Sequence, residues 1–330
     1  MIKLPGLRLL ELAFGRGGIV AYHGVRESSL LTSTHVTPTA LEAQLEFVAG
    51  SYQVMPLTEF VARRLAGRSL RGCVAVTFDD AYTGILTYGV RVLERLAMPA
   101  TVFVASAFCR PGRRFWWDRL EWVMQKLPGA ARRALMQGIG LTADAVDYEV
   151  RDRLLTRFRG TVPRGLDAAL RRAESLVGEV SERAMNGDEL LQLSRSNLID
   201  FGCHTAHHYA LPWLAATKVE REIRSNHDWL RDRLPRVRPY LAYPYGLYTA
   251  TTVEAARRGG MQAAFSIEPR AATSRFPIFY CPRIGMADVN TLSGLRLRLS
   301  WFAIPIVAAQ NRGWHPRLRP ASEAVPQPAS

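Results

Sequence analysis

The stretch Val74-Ala75-Val76-Thr77-Phe78-Asp79-Asp80 constrains the fold of this chain more than any other. A run of small, β-favouring residues ends in two adjacent carboxylates. Val, Thr and Phe suit a buried strand, and Asp does not. Two neighbouring acids at a strand end are costly unless positive charge lies beside them. A metal ion would supply that charge, one carboxylate ligating it while the other takes a proton from water. An Asp-rich turn after an ordinary strand is the plainer reading of the same residues. The rest of the chain has to provide partners.

Around this stretch, strand and helix patterns alternate. Residues 18–25 read as a first strand with His23 at its C-terminal end, where a histidine serves either a site or a turn. Thr37-Pro38 opens a helix over 38–49 with Leu41, Leu45 and Val48 on one face. A second helix covers 56–66. After the Asp79 strand come a helix over 88–96 and a short strand over 99–104. This alternation argues for an α/β fold with parallel strands joined by crossover helices. From Cys109 to about Arg183 the chain is Arg-rich and helical in pattern, without a clear strand, and reads as an inserted helical lobe. Phe115-Trp116-Trp117-Asp118 heads it, with aromatics that read first as core and second as a platform for a sugar ring.

Asn186 to Leu191 reads as a helix start, followed by a strand over 198–203. A charged helix over 214–233 reads as a solvated face. Then come a strand into a turn over 239–246, a helix over 249–258, a strand over 262–267 and a last ordered stretch at Pro282-Arg283-Ile284. Near the N-terminus, residues 5–14 have the spacing of a short amphipathic helix. Beyond Asp288 the chain is basic, with Arg296, Arg298, Arg312, Arg317 and Arg319 and no acid until Glu323, around an apolar patch over 301–307. The expected division is 1–108 for the first part of the main domain, 109–185 for the lobe, 186–288 for the second part, and 289–330 for a basic, partly disordered tail.

A chain of 330 residues can bury a large core. Its 43 Lys and Arg against 29 Asp and Glu give +14, which favours anionic partners. No nucleic-acid module is recognisable, so nucleic acid is not an expected partner. Cys73, Cys109, Cys203 and Cys281 form no CxxC pair, and Cys73 and Cys203 read as small buried apolar residues. The N-terminus has no long apolar run, and no window reaches the length of a membrane span. The expectation is a cytoplasmic protein whose basic, aromatic tail either rests on the anionic inner membrane face or is a loosely packed terminus.

His204 and His208 follow the strand that ends at Cys203. On a helical turn, four-residue spacing puts both imidazoles on one side, as in two-His zinc motifs. Asp79 and Asp80 lie at the same C-terminal edge of an earlier strand, where ligands gather in barrels and open parallel sheets. One Asp with two His makes a three-ligand site with an open position. His207 competes with His208, but the i,i+4 spacing favours His208.

The combination of Thr77-Phe78-Asp79-Asp80 with His204-Thr205-Ala206-His207-His208 resembles the polysaccharide deacetylase family, with its NodB-like homology domain, and Pro244-Tyr245-Gly246 matches that family's third motif. The resemblance covers about 18–108 and 186–287. It implies a distorted (β/α) barrel with fewer than eight repeats and removal of N-acetyl or O-acetyl groups from a glycan or a glycolipid precursor. It implies a divalent metal, zinc in most relatives, on Asp80, His204 and His208. It implies Asp79 as general base and the Tyr245 backbone N–H as a donor to the oxyanion. Two departures stand out. The Arg expected before the third motif's proline is missing from Leu241-Ala242-Tyr243-Pro244, with Arg283 as a candidate replacement. The late Leu-x-His that would supply the general acid is also absent, and His315 lies in an unsuitable tail. Tyr22-His23 fits a circularly permuted branch of the family, which makes His23 the implied general acid. The rival readings are an amidohydrolase of the same superfamily acting on a small amide, and a non-catalytic glycan- or membrane-binding protein on this scaffold.

Overall fold

The architecture follows from central strands that are buried along their whole length. In the computed structural model, which describes residues 18–27, 34–140, 164–268, 276–287 and 292–299, every residue of β1 (Gly18–Tyr22) and β3 (Cys73–Phe78) is buried. Strands covered on both faces lose the apolar–polar alternation and belong in a parallel sheet wrapped by helices. The others are β2 (Gln53–Val54), β4 (Ala100–Val104), β5 (Ile199–Cys203), β6 (Val237–Ala242), β7 (Ala263–Phe265) and β8 (Ile284–Gly285). All the ladders are parallel, in the order β7-β6-β5-β4-β3-β1-β8, with the short β2 branching onto β3.

The two ends of that path meet. Cys281 donates to Ala264 O (3.1 Å), Ser266 to Cys281 O (2.9 Å) and Glu268 to Arg283 O (2.9 Å). The residues entering β8 therefore pair with β7 while β8 pairs with β1, and the sheet closes through an irregular seam. The expected α/β barrel with fewer than eight repeats is what the chain forms.

Helices cover the outside where their periodicity placed them. Pro38–Ser51 is capped by the Thr37 side chain, which accepts from Ala40 N–H, and buries Leu41, Leu45 and Val48. Gly187–Leu193 starts at a capping box between Asn186 and Glu189. Three helices, Trp116–Lys126, Gly129–Gly138 and Arg164–Val177, share a separate apolar cluster that includes Leu120, Val123, Met136 and Leu170. Arg119 ties two of them together with a fork onto Glu174 (2.7 and 2.6 Å) and a bond to Asp167 (2.7 Å). All four cysteines are free and buried. Residues 292–299 form a helix at the start of the basic tail. The 5–14 helix, the 301–307 patch and His315 lie outside the described residues.

Candidate metal centre

The first half of the centre grows from β3. Thr77 Oγ1 donates to Val20 O (2.9 Å) and Asp79 N–H to Tyr22 O (2.8 Å), which holds β1 and β3 in register up to the first acid. Asp80 and Ala81 then take left-handed backbones, φ 66° and 52°, and turn the chain off the sheet edge. The turn is pinned by Met185 N–H on Ala81 O (2.8 Å) and Thr83 N–H on Arg183 O (3.1 Å). Gly84 passes so close to the loop after β1 that a Cβ would lie 1.9 Å from Val25 O, so only glycine fits. This approach keeps the two loops together. His23 Nε2 ends 3.9 Å from Asp79 Oδ2.

The second half grows from β5. Here the structure corrects one expectation: His204 and His208 do not sit on a helical turn. The residues between them make an irregular bend with Thr205 and His208 at φ 63° and 54°. The Thr205 hydroxyl accepts the His208 N–H (3.0 Å) and closes the bend, as short polar side chains do in turns. Asn226 donates to Thr205 O (2.8 Å) and to Val104 O (2.9 Å), and Glu222 Oε2 accepts the His207 N–H (2.9 Å). Both supports come from the helix Ala216–Arg231, which the sequence presents as a solvated face. Glu222 and Asn226 are instead buried. Their four-residue spacing, in step with Val219, Ile223 and Leu230, was the signal for an inward face.

The two halves meet at one point. His204 Nε2 lies 3.1 Å from His208 Nε2, and the two nitrogens lie 3.7 and 3.4 Å from Asp80 Oδ1. Ligand bonds of ~2.0–2.1 Å in a tetrahedron put donor atoms ~3.3 Å apart, so these residues fit a single small divalent ion. His204 Nδ1 faces Ala242 O at 2.8 Å, which leaves Nε2 as the lone-pair nitrogen. Burial pushes both imidazoles below their ordinary pKa, and His204 pushes His208 down further. Both shifts favour the neutral ring, the form a cation needs. His207 stays outside, half exposed, with its ring Nδ1 on Glu222 (2.9 Å).

Arg283 completes the arrangement. Fully buried, it forks onto Asp79 with two bonds of 2.7 Å, and touches Thr77 Oγ1 and Ser266 O, each at 3.2 Å. Burial alone would raise the Asp79 carboxyl. Arg283, with His204 and His23, outweighs it and holds the carboxyl well below the usual range. A guanidinium absent from the third motif is thus supplied to Asp79 from the residue that enters β8, one strand removed from β3. Tyr245 has φ 59°, and its ring stands edge-on to His208 at 4.6 Å. Of the seven non-glycine residues with positive φ among the described residues, five (Asp80, Ala81, Thr205, His208 and Tyr245) surround this centre. Strained backbone of this kind gathers where side chains must be aimed. His35 has no place in the cluster; it is buried edge-on against Tyr82, 4.9 Å between rings.

Fold and site together define a (β/α) barrel with a buried centre of one carboxylate and two imidazoles at the C-terminal edge of its strands, and a second, Arg-held carboxylate beside it. A family model described as polysaccharide deacetylase matches residues 175–264. Two poly-beta-1,6-N-acetyl-D-glucosamine N-deacetylases are similar in sequence. That of Staphylococcus epidermidis is 27% identical over 104 residues, 29% of this chain and 36% of the relative; that of Staphylococcus aureus is 24% identical over 108 residues, 30% and 37%. The chain thus matches little more than a third of the length of these relatives. Among solved structures, Streptococcus pyogenes deacetylase PplD superimposes with a TM-score of 0.59 at 15% identity, over 87% of this chain and 99% of that one. IcaB from Ammonifex degensii gives 0.55 at 18% identity, over 86% and 98%. The resemblance to the polysaccharide deacetylase family is upheld, by sequence across the later strands and by fold across the barrel. Among the described residues, no helix is long and apolar enough to cross a membrane.

Proposed function

We propose that this chain is a divalent-cation-dependent hydrolase that removes an N-acetyl group from a glycan. The observation that carries the reading is the convergence of Asp80, His204 and His208 beside an Asp79 fixed by Arg283. In this reading Asp80, His204 and His208 hold the cation, Zn2+ by the nitrogen-rich donor set. Once bound, the cation polarises the acetyl carbonyl and makes water a better nucleophile.

The remaining roles belong to the chain. Asp79, ionised and aimed by Arg283, accepts a proton as the water oxygen bonds to the acetyl carbon. The Tyr245 N–H donates to the oxygen that gains charge. His23 gives a proton to the nitrogen as the C–N bond breaks, so that acetate and a free amine leave.

Residues 109–185 act as an insertion that shapes substrate access. The +14 charge and the Arg-rich tail favour a lipid-linked, pyrophosphate-bearing precursor at the cytoplasmic membrane face. Acetate release from N-acetylglucosamine oligosaccharides, with small amides as controls, tests the reading. Release should stop with chelator and return with Zn2+. Release that ignores chelator, or that occurs only from the small amides, would overturn it.

A further inference from the structure

The head of the helical lobe divides its aromatics. Phe115 and Trp116 are buried in the core. Trp117 remains partly exposed, as do His23 and Tyr245, while Asp79, Asp80, His204 and His208 beneath them are buried. These three residues form the rim of the centre. The Trp117 ring lies 4.8 Å from His208 and 5.9 Å from Tyr245, and one face stacks on Phe115 at 4.6 Å and 16°. Its Nε1–H donates to Tyr82 Oη (3.0 Å), and that hydroxyl donates to the buried Asp118 (2.7 Å). The indole is therefore oriented by a buried hydrogen-bonded chain, and its only donor is already used. What it offers a ligand is a flat carbon surface beside the cation site.

We propose that Trp117 is the platform on which the sugar ring carrying the acetamide stacks, with Tyr82 and Asp118 as positioning residues. A pyranose ring presents C–H bonds on its faces and hydroxyls at its edge, and a fixed indole without a spare donor matches the face. A linear or charged amide has no such face to offer. The lobe thereby selects glycans, and the inference rests on the deacetylase reading for the group that the sugar carries.

The test uses the full chain and N-acetylglucosamine pentasaccharides. Calorimetric titration with chelator present reads binding without turnover, and the metal-loaded chain gives KM and kcat for the pentasaccharide and rates for 4-nitrophenyl acetate. Trp117→Ala should weaken binding and raise KM about tenfold, the loss of one good aromatic contact, while 4-nitrophenyl acetate hydrolysis and Zn2+ stoichiometry stay as in the parent. Trp117→Phe, which keeps a flat ring, should fall between. Trp117→Leu, which keeps apolar bulk without one, should behave like Ala and stands in for it if Ala does not fold. Unchanged sugar binding in Trp117→Ala and Trp117→Leu overturns the proposal. So does a parallel loss of ester hydrolysis and Zn2+, which would make the ring a support for His208. Failure of the parent chain to bind any pentasaccharide overturns it too. A parent that binds the sugar in a Trp117-dependent way but releases no acetate refutes the deacetylase reading and leaves the platform standing.

Discussion

Replacing Arg283 by Met tests the electrostatic logic of the centre. Arg283 is fully buried and Asp79 is 1% exposed, so neither charge has water to fall back on. The substitution removes two charge-assisted bonds of 2.7 Å and leaves the carboxylate in place. Removing one partner of a buried pair costs about 3–5 kcal/mol, because the survivor stays desolvated. Met fills most of the volume, so little of that cost comes from a cavity. Urea denaturation of the chelated protein at pH 7 should show a loss of this size. Asp79→Asn should also destabilise, by stranding the guanidinium. The double variant should be more stable than the sum of the two losses implies, with a coupling of about 3 kcal/mol. The carboxyl of Asp79 should rise in Arg283→Met, since burial then acts against a weaker opposition. The acid limb of activity should move to higher pH accordingly. A loss below about 1 kcal/mol, typical of a surface pair, or a coupling near zero, would refute the claim that the guanidinium sets the state of the base.

Three further outcomes follow from the same geometry. His208→Ala and Asp80→Asn should abolish stoichiometric Zn2+ binding, measured by elemental analysis, whereas His207→Ala should leave it unchanged, because that ring points outward onto Glu222. The chelated protein should lose stability as pH falls below about 6.5, the ordinary histidine value, because His35, His204 and His208 are held lower in the folded state. The unfolded chain then takes up protons first, so the stability from these rings is whole above that pH and drains away toward their folded values; melting temperatures from pH 8 to 5 should show it, and a flat profile would contradict it. Gly84→Ala should destabilise by about 1–3 kcal/mol through the clash with Val25 O and should lower kcat by moving His23 from Asp79; unchanged thermal stability would show that the loops separate freely.

Most of the strands and helices, and the three side chains Asp80, His204 and His208 that converge at the strand edge, were legible in the sequence by itself. An apolar run ending in Asp79-Asp80, a four-residue His spacing after Cys203 and the alternation of strand and helix are local patterns, and local patterns survive without knowledge of the fold. Tertiary structure decided what joins across distance. Arg283 lies 204 residues from Asp79, and nothing in the intervening chain encodes their pairing; only the docking of β8 on β1, beside β3, brings the guanidinium to the carboxylate. The left-handed bend at Thr205 and the inward turn of Glu222 and Asn226 were hidden for a related reason. Charged and amide side chains are solvated by default, and only a loop with unsatisfied backbone groups above them gives them cause to be buried. Chemistry-bearing residues are thus legible one strand at a time, while their orientation and charge state belong to the closed barrel.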